Sequence, residues 1–371
     1  MHESGPGGAP GNPRLLEPAS LRGLTLRNRI WLAPLCQYAV TAGDGVPRHW
    51  HLMHLGARAA GGFGLVVTEA AAVSAEGRTT PFDVGLWDGA QERAWEPIVR
   101  FCREQGAAFA VQLSHAGRKA SIWPSLPHYA RHQGTIPELS GGWRAVGPTD
   151  APFPGLDAPE VLDAAGIARV VEDFASSAER AVRIGVDALE LHFAHGYLVH
   201  QFLSPLINTR TDAYGGDRDG RFRLALEIAD AVRARIPETM PLIARLSATD
   251  WIGGGWDLEQ SIDLGRRLRE HGVDALHVSS GGAVIADITA RSGYQIGFAT
   301  EIREATGLPT AAVGLISDPH EAERIIAGGA ADFVAIGRAS LREPGWPQRA
   351  AAALGADVGA LLPPAYVPGA W

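Results

Sequence analysis

Short apolar runs bounded by turn residues alternate along this chain with longer amphipathic stretches, the pattern of repeated βα units around a parallel sheet. Eight runs read as core strands: Ile30–Leu32, Leu65–Thr68, Phe109–Leu113, Ala188–Leu191, Leu242–Leu246, Ala275–Val278, Thr310–Val313 and Phe333–Ile336. Helical periodicity fills the intervals, most clearly over Pro159–Ile184, Arg221–Arg235, Leu258–His271 and Pro319–Ala327. Several repeats run helix, glycine, strand, as at Gln105-Gly106, Ile184-Gly185, His271-Gly272 and Gly328-Gly329. A glycine there accepts the left-handed conformation that ends a helix. Leu15–Glu17 and Leu24–Leu26, joined through Arg22-Gly23, predict a small hairpin across the bottom. The predicted fold is an α/β (β/α)8 TIM barrel with an N-terminal β-hairpin cap and a long loop after strand 3.

No linker divides the chain. Residues 1–13, rich in Gly and Pro, read as a flexible tail, and 14–371 as one barrel domain. Residues 121–158 form the one long irregular segment, and a loop of that length predicts a lid over the top face. No apolar run approaches ~18 residues, so no membrane span is expected. A net charge of −8 without a basic stripe argues against nucleic acid. Two cysteines, Cys36 and Cys102, are too few for a disulfide framework or an iron–sulfur site, and a cytoplasmic setting fits. One compositional fact is sharper. Of 33 cationic residues only Lys119 is lysine, which marks a position where a guanidinium does not serve.

In such barrels the chemistry sits at the C-terminal ends of the strands, and polar residues and glycines gather there. Ala33-Pro34-Leu35-Cys36-Gln37-Tyr38 follows the first strand, Glu69-Ala70 the second and Gln112 to Lys119 the third. His192, His195 and Tyr197 follow the fourth. Gly314 and Gly337-Arg338, after strands seven and eight, are phosphate candidates, because bare backbone N–H groups and a guanidinium suit an anion. Two imidazoles can polarise one carbonyl, and a phenol can deliver a proton. The rival use of two histidines is a metal site, but no third ligand adjoins them, and none is expected. His49, His51 and His54 lie on the first helix, where packing or a solvated face explains them. Arg245 interrupts an apolar strand, and such a charge needs a partner: an electron-rich ligand, or an internal carboxylate such as Glu69.

These segments together resemble the old yellow enzyme family, in its thermophilic-like class that includes xenobiotic reductases and NADPH dehydrogenases. The resemblance rests on Leu24–Tyr38, Glu69–Arg78, Gln112–Ala120, Glu190–Gly216, Arg245–Ser247 and Ile336–Arg338, and so spans nearly the whole chain. Its most specific stretch runs from His195 through Pro205 to Asn208–Gly216. The resemblance implies tightly bound, non-covalent FMN, with Ala33, Pro34, Leu35 and Cys36 beside the ring and Ala70 and Gln112 also on it. It places Arg245 at the N1–O2 edge, and Gly314, Gly337 and Arg338 toward the phosphate. It further implies NADPH as hydride donor and enones, enals or maleimides as substrates. His192 and His195 would hold the substrate oxygen, Tyr197 would protonate Cα, Cys36 would tune the flavin potential and shape the pocket, and Tyr38 would contact the substrate. The resemblance also implies a homodimer or homotetramer; the relatives' C-terminal tails often reach a neighbouring subunit's site, some with an Arg before a final Gly-Trp. Here the end reads Pro368-Gly369-Ala370-Trp371, leaving Trp371 but not that Arg as a candidate cap. A different class is also weighed: a lyase or isomerase acting on a phosphorylated substrate, with Lys119 as Schiff-base former.

Overall fold

The computed structural model describes residues 12–370. Trp371 and most of the N-terminal tail lie outside the described residues. Eight parallel strands close into a barrel in sequence order: Ile30–Leu32, Leu65–Ala72, Ala108–Ser114, Ala188–Phe193, Leu242–Ser247, Ala275–Ser279, Thr310–Ala312 and Phe333–Ile336. They are numbered one to eight below. Five helices start where an aspartate stands, since its carboxylate accepts the first free N–H groups. Asp88, Asp163, Asp217, Asp257 and Asp318 each cap one in this way. At the other end Gly106, Gly185, Gly272 and Gly329 take φ of +78°, +79°, +80° and +71°, as the helix–glycine–strand pattern requires.

Three expectations change. The hairpin exists, but its arms are Ala19–Leu21 and Leu24–Leu26, while Arg14–Leu16 is a 3-10 turn. A two-residue turn at Arg22-Gly23 pairs Leu21 with Leu24 directly, so the first arm cannot lie farther back. The long helix begins at Ala164 rather than Pro159. Asp163 caps it, and Glu160–Val161 pairs with Val146–Gly147 as a short parallel ribbon. Strand two runs on to Ala72 with a register shift between Val67 and Ala70, so Glu69 and Ala70 belong to the strand instead of following it.

Side-chain alternation builds the barrel in layers. Trp31, Leu65, Val67, Ala110, Ala188, Ile243, Ala275 and Phe333 pack together as an apolar interior, and Trp31 stacks on Phe333 with centroids 4.6 Å apart. Two residues further along strands three to six the same inward face carries Gln112, Glu190, Arg245 and His277, all buried. Two further on stand Ser114, His192, Ser247 and Ser279. The interior therefore changes from hydrocarbon to polar within one layer, toward the rim where ligands bind.

Candidate functional site

A cavity of about 370 Å³ opens at this rim. Of the ten residues expected around a flavin, it is lined by Ala33, Pro34, Leu35, Arg245, Gly314, Gly337 and Arg338. Cys36, Ala70 and Gln112 are not in its lining. Ser279, which follows the sixth apolar run at the same rim, also lines it, as do Tyr294, Gln295, Ser317 and Arg342, which were not foreseen. The serine is legible in the repeated apolar-x-polar-x-Ser pattern of Ile243–Ser247 and Ala275–Ser279. Gly314 has φ +136°, a conformation that side chains rarely adopt. A Cβ at Gly337 would stand 3.9 Å from both Ala33 Cβ and Leu35 Cδ2, between walls of the cavity.

Arg245 reaches this cavity with its Nε buried and without a hydrogen-bond partner. The internal pair with Glu69 does not form. Glu69 instead accepts from the Gln37 N–H at 2.9 Å and faces His51 Nε2 at 3.4 Å. His51 and His54 are buried in helix packing and His49 is exposed. A desolvated guanidinium at an open cavity, with Gly314 and Gly337 in the same lining, fits a planar electron-rich ring and its phosphate.

His192 and His195 meet behind Ser279, which lines the cavity. His192 Nδ1 accepts the Ala194 N–H at 3.3 Å, so its proton sits on Nε2, 3.2 Å from His195 Nδ1. His195 Nε2 then donates to Ser279 Oγ at 2.8 Å, which ties the pair to the cavity wall. Burial, and then the Arg245 charge, push both imidazoles well below their ordinary pKa, so both are neutral. The Tyr197 ring stands 5.0 Å from that of His192, nearly perpendicular to it. Burial and the neighbouring Cys36 raise its phenol, which keeps the proton at neutral pH. Cys36 and Tyr38 are raised in the same way, chiefly by burial, so the Cys36 thiol is no thiolate nucleophile.

The backbone under these side chains is tightly held. His195 lies at φ +60°, rare for a residue with a Cβ. Its N–H donates to Ser247 Oγ at 2.9 Å and its carbonyl accepts from Lys119 Nζ at 2.8 Å. Lys119 Nζ also donates to the Gly282 carbonyl at 3.1 Å and rests on the Phe153 and Tyr197 rings. A compact ammonium fits this four-sided seat where a planar guanidinium would not. Lys119 borders a different cavity, of about 350 Å³, walled by Trp123, His132 and Phe153 of the long irregular loop. The Schiff-base reading of Lys119 is thereby lost, since it does not share the phosphate-candidate cavity.

Sequence reading missed the supports. His200 Nδ1 accepts the Gly196 N–H at 2.9 Å, its Nε2 faces Asp250 at 3.2 Å, and Gln201 donates to the carbonyls of Ala116 and Gly196. Both sit inside the His195–Pro205 stretch, the most specific segment of the resemblance, and both are fully buried.

The NADH:flavin oxidoreductase / NADH oxidase family matches over residues 14–356. The chain belongs to that family. A NADPH dehydrogenase of Geobacillus thermodenitrificans is 39% identical over 348 residues, covering 94% of this chain and 96% of the relative. Morphinone reductase superposes with a TM-score of 0.77 at 30% identity, covering 95% of this chain and 92% of that one. An old yellow enzyme homologue from Zymomonas mobilis gives 0.77 at 29%, covering 91% and 92%. The resemblance to old yellow enzymes is thus borne out, and the protein is an FMN-binding oxidoreductase.

Proposed function

We propose that the protein is an NADPH-dependent ene-reductase for α,β-unsaturated carbonyl compounds, including enones, enals and maleimides. The observation that carries this reading is the neutral imidazole pair, joined through Ser279 to the cavity edge and flanked by a protonated tyrosine. When bound, FMN supplies hydride received from NADPH. Gly314, Gly337 and Arg338 would hold its phosphate, Arg245 its ring edge, and Ala33, Pro34, Leu35, Cys36, Ala70 and Gln112 the rest of the ring.

The substrate carbonyl enters between the two imidazoles and exchanges their mutual hydrogen bond for bonds to its oxygen. His192 Nε2–H is the ready donor. Neutral rings deliver hydrogen bonds that strengthen as negative charge develops on that oxygen. Tyr197 O–H supplies the proton to Cα, and its raised pKa holds that proton until charge builds there. Cys36 and Tyr38 define the pocket wall. A relative named morphinone reductase and another named NADPH dehydrogenase support both halves of the reaction.

The test is a visible spectrum of purified protein, titrated under nitrogen first with NADPH and then with cyclohexenone. A flavin band bleached by the first and restored by the second is expected. Colourless protein, or a band that the enone leaves bleached, overturns the proposal.

A further inference from the structure

A carboxylate sits inside the barrel that the chemistry above does not use. Glu190 is fully buried on strand four, in the layer directly beneath His192. Its Oε1 accepts from Gln112 Nε2 at 2.6 Å and its Oε2 from His277 Nδ1 at 2.8 Å. A carboxylate can only accept, so it selects the nitrogen end of the Gln112 carboxamide and turns the oxygen end away from itself. Strands three, four and six thus converge on one anion, with Arg245 of strand five standing between Glu190 and His277 in the strand order.

The charges in this layer are assignable. Burial pushes the Glu190 carboxyl up, but His277, Arg245 and Gln112 together hold it below the usual range, so it is ionised. Burial and Arg245 keep His277 neutral. The layer then holds one negative charge and one positive charge, and Arg245 forms no ion pair within 4.0 Å among the described residues. A buried carboxylate is rarely the most stable filling for a core, because its desolvation opposes the attraction it gains. Its retention here places a fixed anion in the same barrel layer as the Arg245 guanidinium, which lines the cavity.

We propose that Glu190 is a positioning residue for the cofactor: its carboxylate locks the Gln112 carboxamide and offsets the Arg245 charge, and so sets the reduction potential of bound FMN. This rests on FMN occupying the cavity walled by Arg245. Electrons added to the flavin meet less net positive potential with Glu190 present than without it. Its loss therefore makes the flavin easier to reduce.

The test measures the midpoint potential of the bound flavin by dye equilibration in the wild type, Glu190→Gln and Glu190→Asp. Glu190→Gln should shift the ratio of affinities for reduced and oxidised FMN at least tenfold toward the reduced form, about 30 mV for a two-electron couple. Glu190→Asp, which keeps the charge, should stay near the wild-type value. Removing one member of a buried charge pair can unfold a barrel, so the same change is also made in Arg245→Gln, where neither charge remains. There too Glu190→Gln should move the potential upward from that of the Arg245 single variant. A flavin-bound Glu190→Gln protein with wild-type potential overturns the proposal, as does an equal shift in Glu190→Asp. A colourless wild type would instead overturn the placement of FMN.

Discussion

The Lys119 ammonium donates a 2.8 Å hydrogen bond to the main-chain carbonyl of His195, the residue whose own imidazole bridges His192 and Ser279. The chain's single lysine thereby ties the strained loop after strand four to the loop after strand six. Replacing it by Met removes a charged hydrogen bond worth roughly 1.5–3 kcal/mol. Affinity for phenolic ligands should fall by about tenfold or more with FMN still bound. Titration of the flavin band with a phenol checks this, and unchanged affinity would count against the clamp.

The same lysine carries a pH signature. Burial, followed by the Arg118 charge, lowers it from 10.5 to about 8. Between those two values the unfolded chain binds the proton more than the folded one does, so this group makes stability rise with pH across the window. Below about 8 both states are protonated and its contribution stops changing. Urea unfolding of wild type and Lys119→Met at pH 7.5 and 10 (roughly the window's ends) should show a steeper rise in the wild type. Parallel pH dependence would refute the assignment.

Gly282 packs its backbone on His195. A Cβ there would lie 2.6 Å from His195 C and Cα, and its φ is +97°. Gly282→Ala must therefore displace the loop, at a cost of about 1–3 kcal/mol. Enone turnover should drop while the flavin spectrum persists. An unaltered turnover would mean that the loop position does not matter.

Tyr197→Phe tests proton delivery. Removing a positioned general acid costs about 10²–10⁴ in rate. Stopped-flow traces should show flavin reoxidation by cyclohexenone slowed within that range, and reduction by NADPH nearly unchanged. Equal slowing of both half-reactions would point to a packing role instead.

Cys36 and Cys102 are both raised by burial, Cys102 to about 12. Iodoacetamide at neutral pH should modify the native protein far more slowly than a free thiol, and mass spectrometry reads this directly. Rapid single labelling at Cys36 would contradict a neutral thiol there.

Much of this protein was decided by local rules that act on the linear chain. Short apolar runs, amphipathic stretches between them and glycines after several of those stretches mark eight βα units, because turn and cap chemistry depends on near neighbours. The rim residues after each strand follow from that count, so the phosphate-candidate loops and the imidazole pair could be placed in advance. Distance in sequence hid the rest. Lys119 and Gly282 are 163 residues apart, and Glu190 and His277 are 87 apart. Only closure of the barrel brings such pairs within hydrogen-bond reach. The same closure decides protonation: burying His192 and Tyr197 beside Arg245 and Cys36 sets their charge state, and desolvation is a property of the packed interior that no stretch of chain carries alone.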